Sequence, residues 1–195
     1  MGTRGFVGFV VDGQEKIAYN HFDSYPDGLG RDVIEWIQSD FDNQTADKVR
    51  ALRAVDEDVP PTPEEIERLK KYADTRVSTR SLTEWYVLLR QTQGSIGAIL
   101  DAGYYEDAGD FPLDSLYAEW GYLINLDDDT LEIYRGFVEE PPVGRFADRS
   151  GVSGNGYAAC TLLATYKLDE MLSADADQVV RDLSKLAYPD SEEED

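Results

Sequence analysis

The chain is poor in the residues that carry most enzymatic chemistry: its 195 residues include one cysteine and one histidine. Cys160 can close no internal disulfide and has no spaced partners for a zinc site. Flanked by Ala158, Ala159, Leu162 and Leu163, it reads as a small buried residue, since a nucleophilic thiol wants a cationic neighbour. No metal and no other cofactor is expected. Nor does any hydrophobic run approach the roughly 18 residues that a membrane-spanning helix needs. The longest, Tyr157 to Tyr166, is short and interrupted by Cys160, Thr161 and Thr165. The N-terminus makes a poor signal peptide, and Phe6 stands where a myristoylation pattern wants Ser or Thr. A cytoplasmic location is the expectation.

Positive charge is the other shortage. Eighteen Lys and Arg face forty Asp and Glu, a net charge of −22. Residues 1–100 hold twelve basic and seventeen acidic groups, a net of −5, while residues 101–195 hold six and twenty-three, a net of −17. Such a surface repels phosphates and anionic lipid, so nucleic-acid binding and membrane binding are excluded as ordinary functions. Three explanations of the acidity stay open. Asp outnumbers Glu and Lys is scarce, which suits solubility in a salt-rich host. A basic protein partner would be steered toward the acidic face. Spaced carboxylates can also mimic a nucleic-acid backbone. The sequence sets no oligomeric state.

What is abundant is material for a core. With 42% hydrophobic and 11% aromatic residues, the chain can offset its conformational entropy. One globular domain over 1–186 is expected, followed by an acidic disordered tail over 187–195. Residues 4–11 and 15–22 flank Asp12-Gly13, a strong hairpin signal because both turn residues tolerate positive φ. A second hairpin pairs 118–126 with 130–137 across Asp127-Asp128-Asp129, its second strand alternating like a half-buried one. Residues 160–168 read as a final strand. Helices are expected from Arg31, over 45–54, after Thr62, after Ser81 and over 175–186, and the stretch from Gly94 to Gly103 reads as a buried turn or helix. Thr62 with Glu65, and Ser81 with Glu84, have the spacing of capping boxes. The fold class is α+β: a mainly antiparallel sheet built from two hairpins plus one further strand, covered by helices.

The densest polar cluster runs from Tyr19 to Gly30. In an extended strand Tyr19, His21 and Asp23 share one face, so Asp23 can orient His21 as a general base is oriented. Glycines at 28 and 30 would let backbone approach a ligand, and the following helix offers free N–H groups to an anion. The plainer alternative makes Asp23, Ser24, Asp27 and the glycines turn residues, with Tyr25-Pro26 packing the loop onto the core. Both readings stand at this point.

The segment Phe22-Asp23-Ser24-Tyr25-Pro26-Asp27-Gly28-Leu29-Gly30, following Thr3-Arg4, resembles the Trp/Phe-Asp-x-Tyr-Pro-x-Gly-x-Gly motif of a family of small bacterial, archaeal and phage proteins. Leu126 to Phe137 adds to the resemblance, which covers about a third of the chain and implies kinship without an activity. Some members begin Met-Cys-Thr-Arg, similar to the start of N-terminal-nucleophile hydrolases, in which a terminal Cys, Ser or Thr attacks an amide. Here Gly2 takes the Cys position, so Thr3 can serve only after loss of Met1 and Gly2.

Two functions follow as expectations. The first is a non-enzymatic acidic accessory protein whose second half engages a basic protein. The alternative is a small-molecule-binding or hydrolase-related domain with a site between the hairpins, lined by Arg4, His21, Asp23, Tyr25 and Arg145.

Overall fold

The computed structural model describes residues 2–76, 81–149 and 154–188. Strands β1 (Gly5–Val11) and β2 (Gln14–Asn20) form the first hairpin, with Asp12 and Gly13 both at positive φ as the two-residue turn requires. Strands β5 (Trp120–Asn125) and β6 (Thr130–Arg135) form the second, and β7 (Thr161–Lys167) pairs antiparallel with β6. The sheet order is β2-β1-β5-β6-β7.

The inner strands β1 and β5 run parallel, Gly5 facing Trp120 and Val10 facing Asn125. The sheet is therefore mixed: it is mainly antiparallel as expected, but a parallel pairing that the expectation of two hairpins plus one strand did not include joins the hairpins. The reason is the docking of the hairpins side by side with their turns at one end. Asp127 holds them so: its carboxylate accepts the N–H groups of Asp12 at 2.7 Å and Gly13 at 2.8 Å. A separate parallel ribbon joins β3 (Arg53–Ala54) to β4 (Tyr104–Tyr105), the first of them within the stretch read from sequence as a helix over 45–54.

Helices cover one face of the sheet. Val7, Phe9, Tyr122, Ile124, Leu131 and Ile133 meet α1 (Arg31–Asp40), α2 (Thr45–Ala51), α5 (Ile96–Ala102), α6 (Leu168–Met171) and α7 (Ala176–Ala187) in the main core. The opposite face carries Phe6, Val10, Ile17, Leu123 and Tyr134, and irregular chain covers it, supplying Leu113, Ala118, Phe146, Ala159 and Cys160. Both faces being closed, β6 is buried from Thr130 to Tyr134 and not half-buried as its alternation suggests. A third, smaller cluster joins α3 (Pro63–Leu69) to α4 (Trp85–Leu88) through Leu69, Trp85, Leu88 and Leu89.

The capping box at Thr62 forms, with Glu65 reaching back to the Thr62 N–H. At Ser81 it does not, because α4 starts later: Glu84 is the N-cap and Ser81 bonds Thr83 instead. Ala187, expected as the first tail residue, is the buried end of α7, and residues 189–195 lie outside the described residues. Among the described residues no helix is long and apolar enough to cross a membrane.

Candidate functional site

The motif after β2 folds as a packed clamp. Ser24 is fully buried; its N–H donates to the Thr3 carbonyl, its hydroxyl accepts from Asn20 Nδ2 at 2.9 Å, and its carbonyl accepts from the Tyr122 hydroxyl at 3.1 Å. The N–H of Leu29 donates back to the Asp23 carbonyl at 2.8 Å. A Cβ on Gly28 would lie 2.3 Å from that carbonyl oxygen, and one on Gly30 2.9 Å from the Tyr122 ring. These glycines are thus accounted for by close packing of the chain against itself.

The five residues expected to line one site are dispersed. At Asp23 the chain leaves the strand with φ of +51°, and the Asp23 carboxylate and the Tyr25 ring face solvent. His21 consequently pairs with Tyr19, whose hydroxyl lies 2.6 Å from Nδ1, and makes no hydrogen bond or ion pair with Asp23 among the described residues. Arg4 stacks its guanidinium 4.8 Å from the centre of the Tyr117 ring. Arg145 belongs to another place: it forks onto Glu132 at 2.7 and 3.2 Å, with Glu15 3.7 Å away. Glu132 also accepts from Tyr134 and Asn125, so this buried carboxylate is fully hydrogen-bonded.

What the structure does assemble beside the end of β2 is a cleft. Two adjoining cavities of about 210 Å³ each share Glu57, Tyr86 and Glu106 as a common wall. Trp85, Thr83 and Pro60 line one, and Tyr19, Thr92, Gln93 and Tyr105 the other. Glu106 leaves the ribbon strand β4 directly into this wall, and α4 presents Tyr86. Arg90 lies 5.5 Å over the Tyr86 ring and donates to Gln93.

Burial, and then the neighbouring Glu57, push the Glu106 carboxyl up to about 7, with Arg90 opposing. Partial burial, followed by the charges of Arg90 and Arg4, holds the His21 imidazole below its ordinary value, which keeps it neutral at neutral pH. Burial likewise raises the Tyr19 phenol. The charge of Arg90 thus acts on both His21 and Glu106, the latter a carboxylate that no pattern in the sequence picks out. Glu106 sits in a short polar stretch, one acid among forty, and only the fold gives it a wall to be buried in.

Two groups connected with nucleophilic chemistry are closed off. Cys160 is fully buried, its thiol donating to the Ala118 carbonyl, and burial pushes its pKa far up. Thr3 is buried as well, and its hydroxyl has no hydrogen-bond partner among the described residues. Among the described residues no group of three or more His, Cys, Asp or Glu is placed to hold a metal ion. No protein-family model, no curated protein and no solved structure matches this chain.

Proposed function

We propose that this chain is a non-enzymatic, acidic binding protein, and that the cleft walled by Glu57, Tyr86 and Glu106 takes a small polar molecule bearing an ammonium group. The observation that carries this reading is Glu106: a carboxylate held up to about 7 at the wall of a cavity, with a second carboxylate beside it and an aromatic ring adjoining. Such a pair is costly to ionise alone and favourable to ionise around a cation. Ring faces add cation–π attraction of about 0.5–2 kcal/mol. Ligand uptake therefore expels the Glu106 proton, and affinity rises as pH rises through 7.

Calorimetric titration with butylammonium, repeated in buffers of different ionisation heat, tests this. Saturable binding with proton release, lost in Glu106→Gln, supports the reading. Binding of neutral butanol equal to that of butylammonium overturns it.

A second reading attaches to Thr3, whose buried hydroxyl is unpaired among the described residues. With Met1 and Gly2 removed, Thr3 would present an α-amine and a hydroxyl together, as the hydrolase resemblance asks. Intact-mass measurement decides it: retention of Gly2 sets a Thr3 nucleophile aside.

A further inference from the structure

On the helical side of the sheet, a groove runs between α1 and α5 with Trp36 at its floor. It consists of cavities of about 350 and 250 Å³ that share Trp36, Ser39, Asp40 and Gly97 as lining. The indole is braced edge-on by Phe9 and Phe41, each 6.3 Å away between centroids, so the ring is fixed before anything binds. Gly97 forms the facing wall: a Cβ there would stand in ordinary van der Waals contact with Trp36 Nε1, at 3.4 Å. That Nε1–H makes no hydrogen bond among the described residues and is not a buried orphan, so it is open to solvent and to an arriving acceptor.

The charge around this ring is of one sign. Asp32, Glu35, Asp40, Asp42 and Asp101 line the two cavities, against Lys48 alone, which leans 3.8 Å toward Asp42. Burial and then Glu35 raise the Asp32 carboxyl, so an arriving cation relieves a repulsion that the free protein carries.

We propose that this groove docks a basic segment of a partner protein, one Lys or Arg side chain lying over the Trp36 indole and a partner carbonyl accepting its N–H. Charge complementarity selects the occupant. Five carboxylates reject nucleic acid and anionic membrane, and a fixed aromatic face among carboxylates is the arrangement that holds a guanidinium or ammonium group. The joined cavities are elongated along the helices and offer a donor for main-chain carbonyl, which suits a peptide better than a lone amine. This site shares no lining residue with the Glu106 cleft, and its carboxylates all belong to the first half of the chain except Asp101, whereas the sequence pattern puts the basic partner on the second.

The test follows the tryptophan indole N–H signals of the isotope-labelled full chain by NMR, with Trp36 assigned through Trp36→Phe. A short glycine-spaced arginine peptide is titrated in, then its neutral citrulline counterpart. The arginine peptide is expected to shift the Trp36 signal saturably and the citrulline peptide to leave it in place. Asp40→Asn with Asp101→Asn should weaken binding about fivefold, the size of two exposed ion pairs. Asp169→Asn with Glu170→Gln removes equal charge from α6 and should change binding about twofold or less. Glu106→Gln should leave it unaltered, which separates this site from the cleft. An unmoved Trp36 signal, equal binding of the citrulline peptide, or equal weakening by the two charge pairs overturns the proposal.

Discussion

Asp127 accepts the backbone N–H of Gly13 at 2.8 Å, so a side chain in the turn of one hairpin holds the turn of the other. The same carboxylate takes the Asp12 N–H, and Asn125 in turn caps the Asp127 and Asp128 N–H groups from below. Removing this clip by Asp127→Ala should cost about 1 kcal/mol, because the bonds are charge-assisted yet solvent-exposed. Asp127→Asn keeps one acceptor oxygen and should lose less. Urea unfolding of the two variants against the parent checks the order.

The pair Arg145–Glu132 invites a different experiment. Arg145→Met leaves Glu132 buried without its cation and should destabilise by about 3 kcal/mol. Glu132→Leu combined with Arg145→Met should recover most of that loss, since no charge is then left uncompensated. Burial alone would raise the Glu132 carboxyl, but Arg145, Tyr134 and Asn125 together bring it below its ordinary value. A depressed carboxylate stabilises fully above its unfolded value and loses that contribution as pH falls through the folded one. The parent should therefore show an acid-side decline in denaturant midpoint that the double variant lacks.

Glu106 has the opposite sign. Its pKa rises on folding from 4.5 to about 7, so its contribution is full below 4.5 and is lost as pH rises through 7. Glu106→Gln should accordingly raise the melting temperature at pH about 8 and change it little at pH about 4. A variant that melts below the parent on the alkaline side would contradict a strained carboxylate in the cleft.

The two capping motifs make an internal control. Thr62→Ala should cost about 1 kcal/mol, because the hydroxyl accepts from the Glu65 N–H at the start of α3. Ser81→Ala, with the same sequence spacing, should be near neutral, since its hydroxyl caps nothing in α4. Thermal melts of both variants measure the contrast.

Local chemistry made much of this legible. Asp12-Gly13 specifies a two-residue turn through its positive φ values, and the apolar runs beside it specify strands. Thr62-Pro63 starts α3, and Asp175 caps α7 by accepting from the N–H groups of Asp177 and Gln178. In the candidate site, neither Arg4 nor His21 lines the cleft; of the polar cluster that stands out around the lone histidine, Tyr19 alone reaches its wall among the described residues. Asp23 was misplaced beside His21 since alternation presumes an extended chain, and the turn at Asp23 ends it.

The sequence by itself determined the hairpins, most helix starts, the burial of Cys160 and the net charge, because each depends on neighbours along the chain. Only the tertiary structure decided that β1 lies parallel to β5, that Gly121 must stay bare because a Cβ would fall 1.9 Å from the Phe6 ring, and that Arg145 grips Glu132. The same holds for Glu106 and Trp36. Their surroundings come from segments far apart in the chain, and a carboxyl's pKa or an indole's exposure depends on what is packed beside it in space.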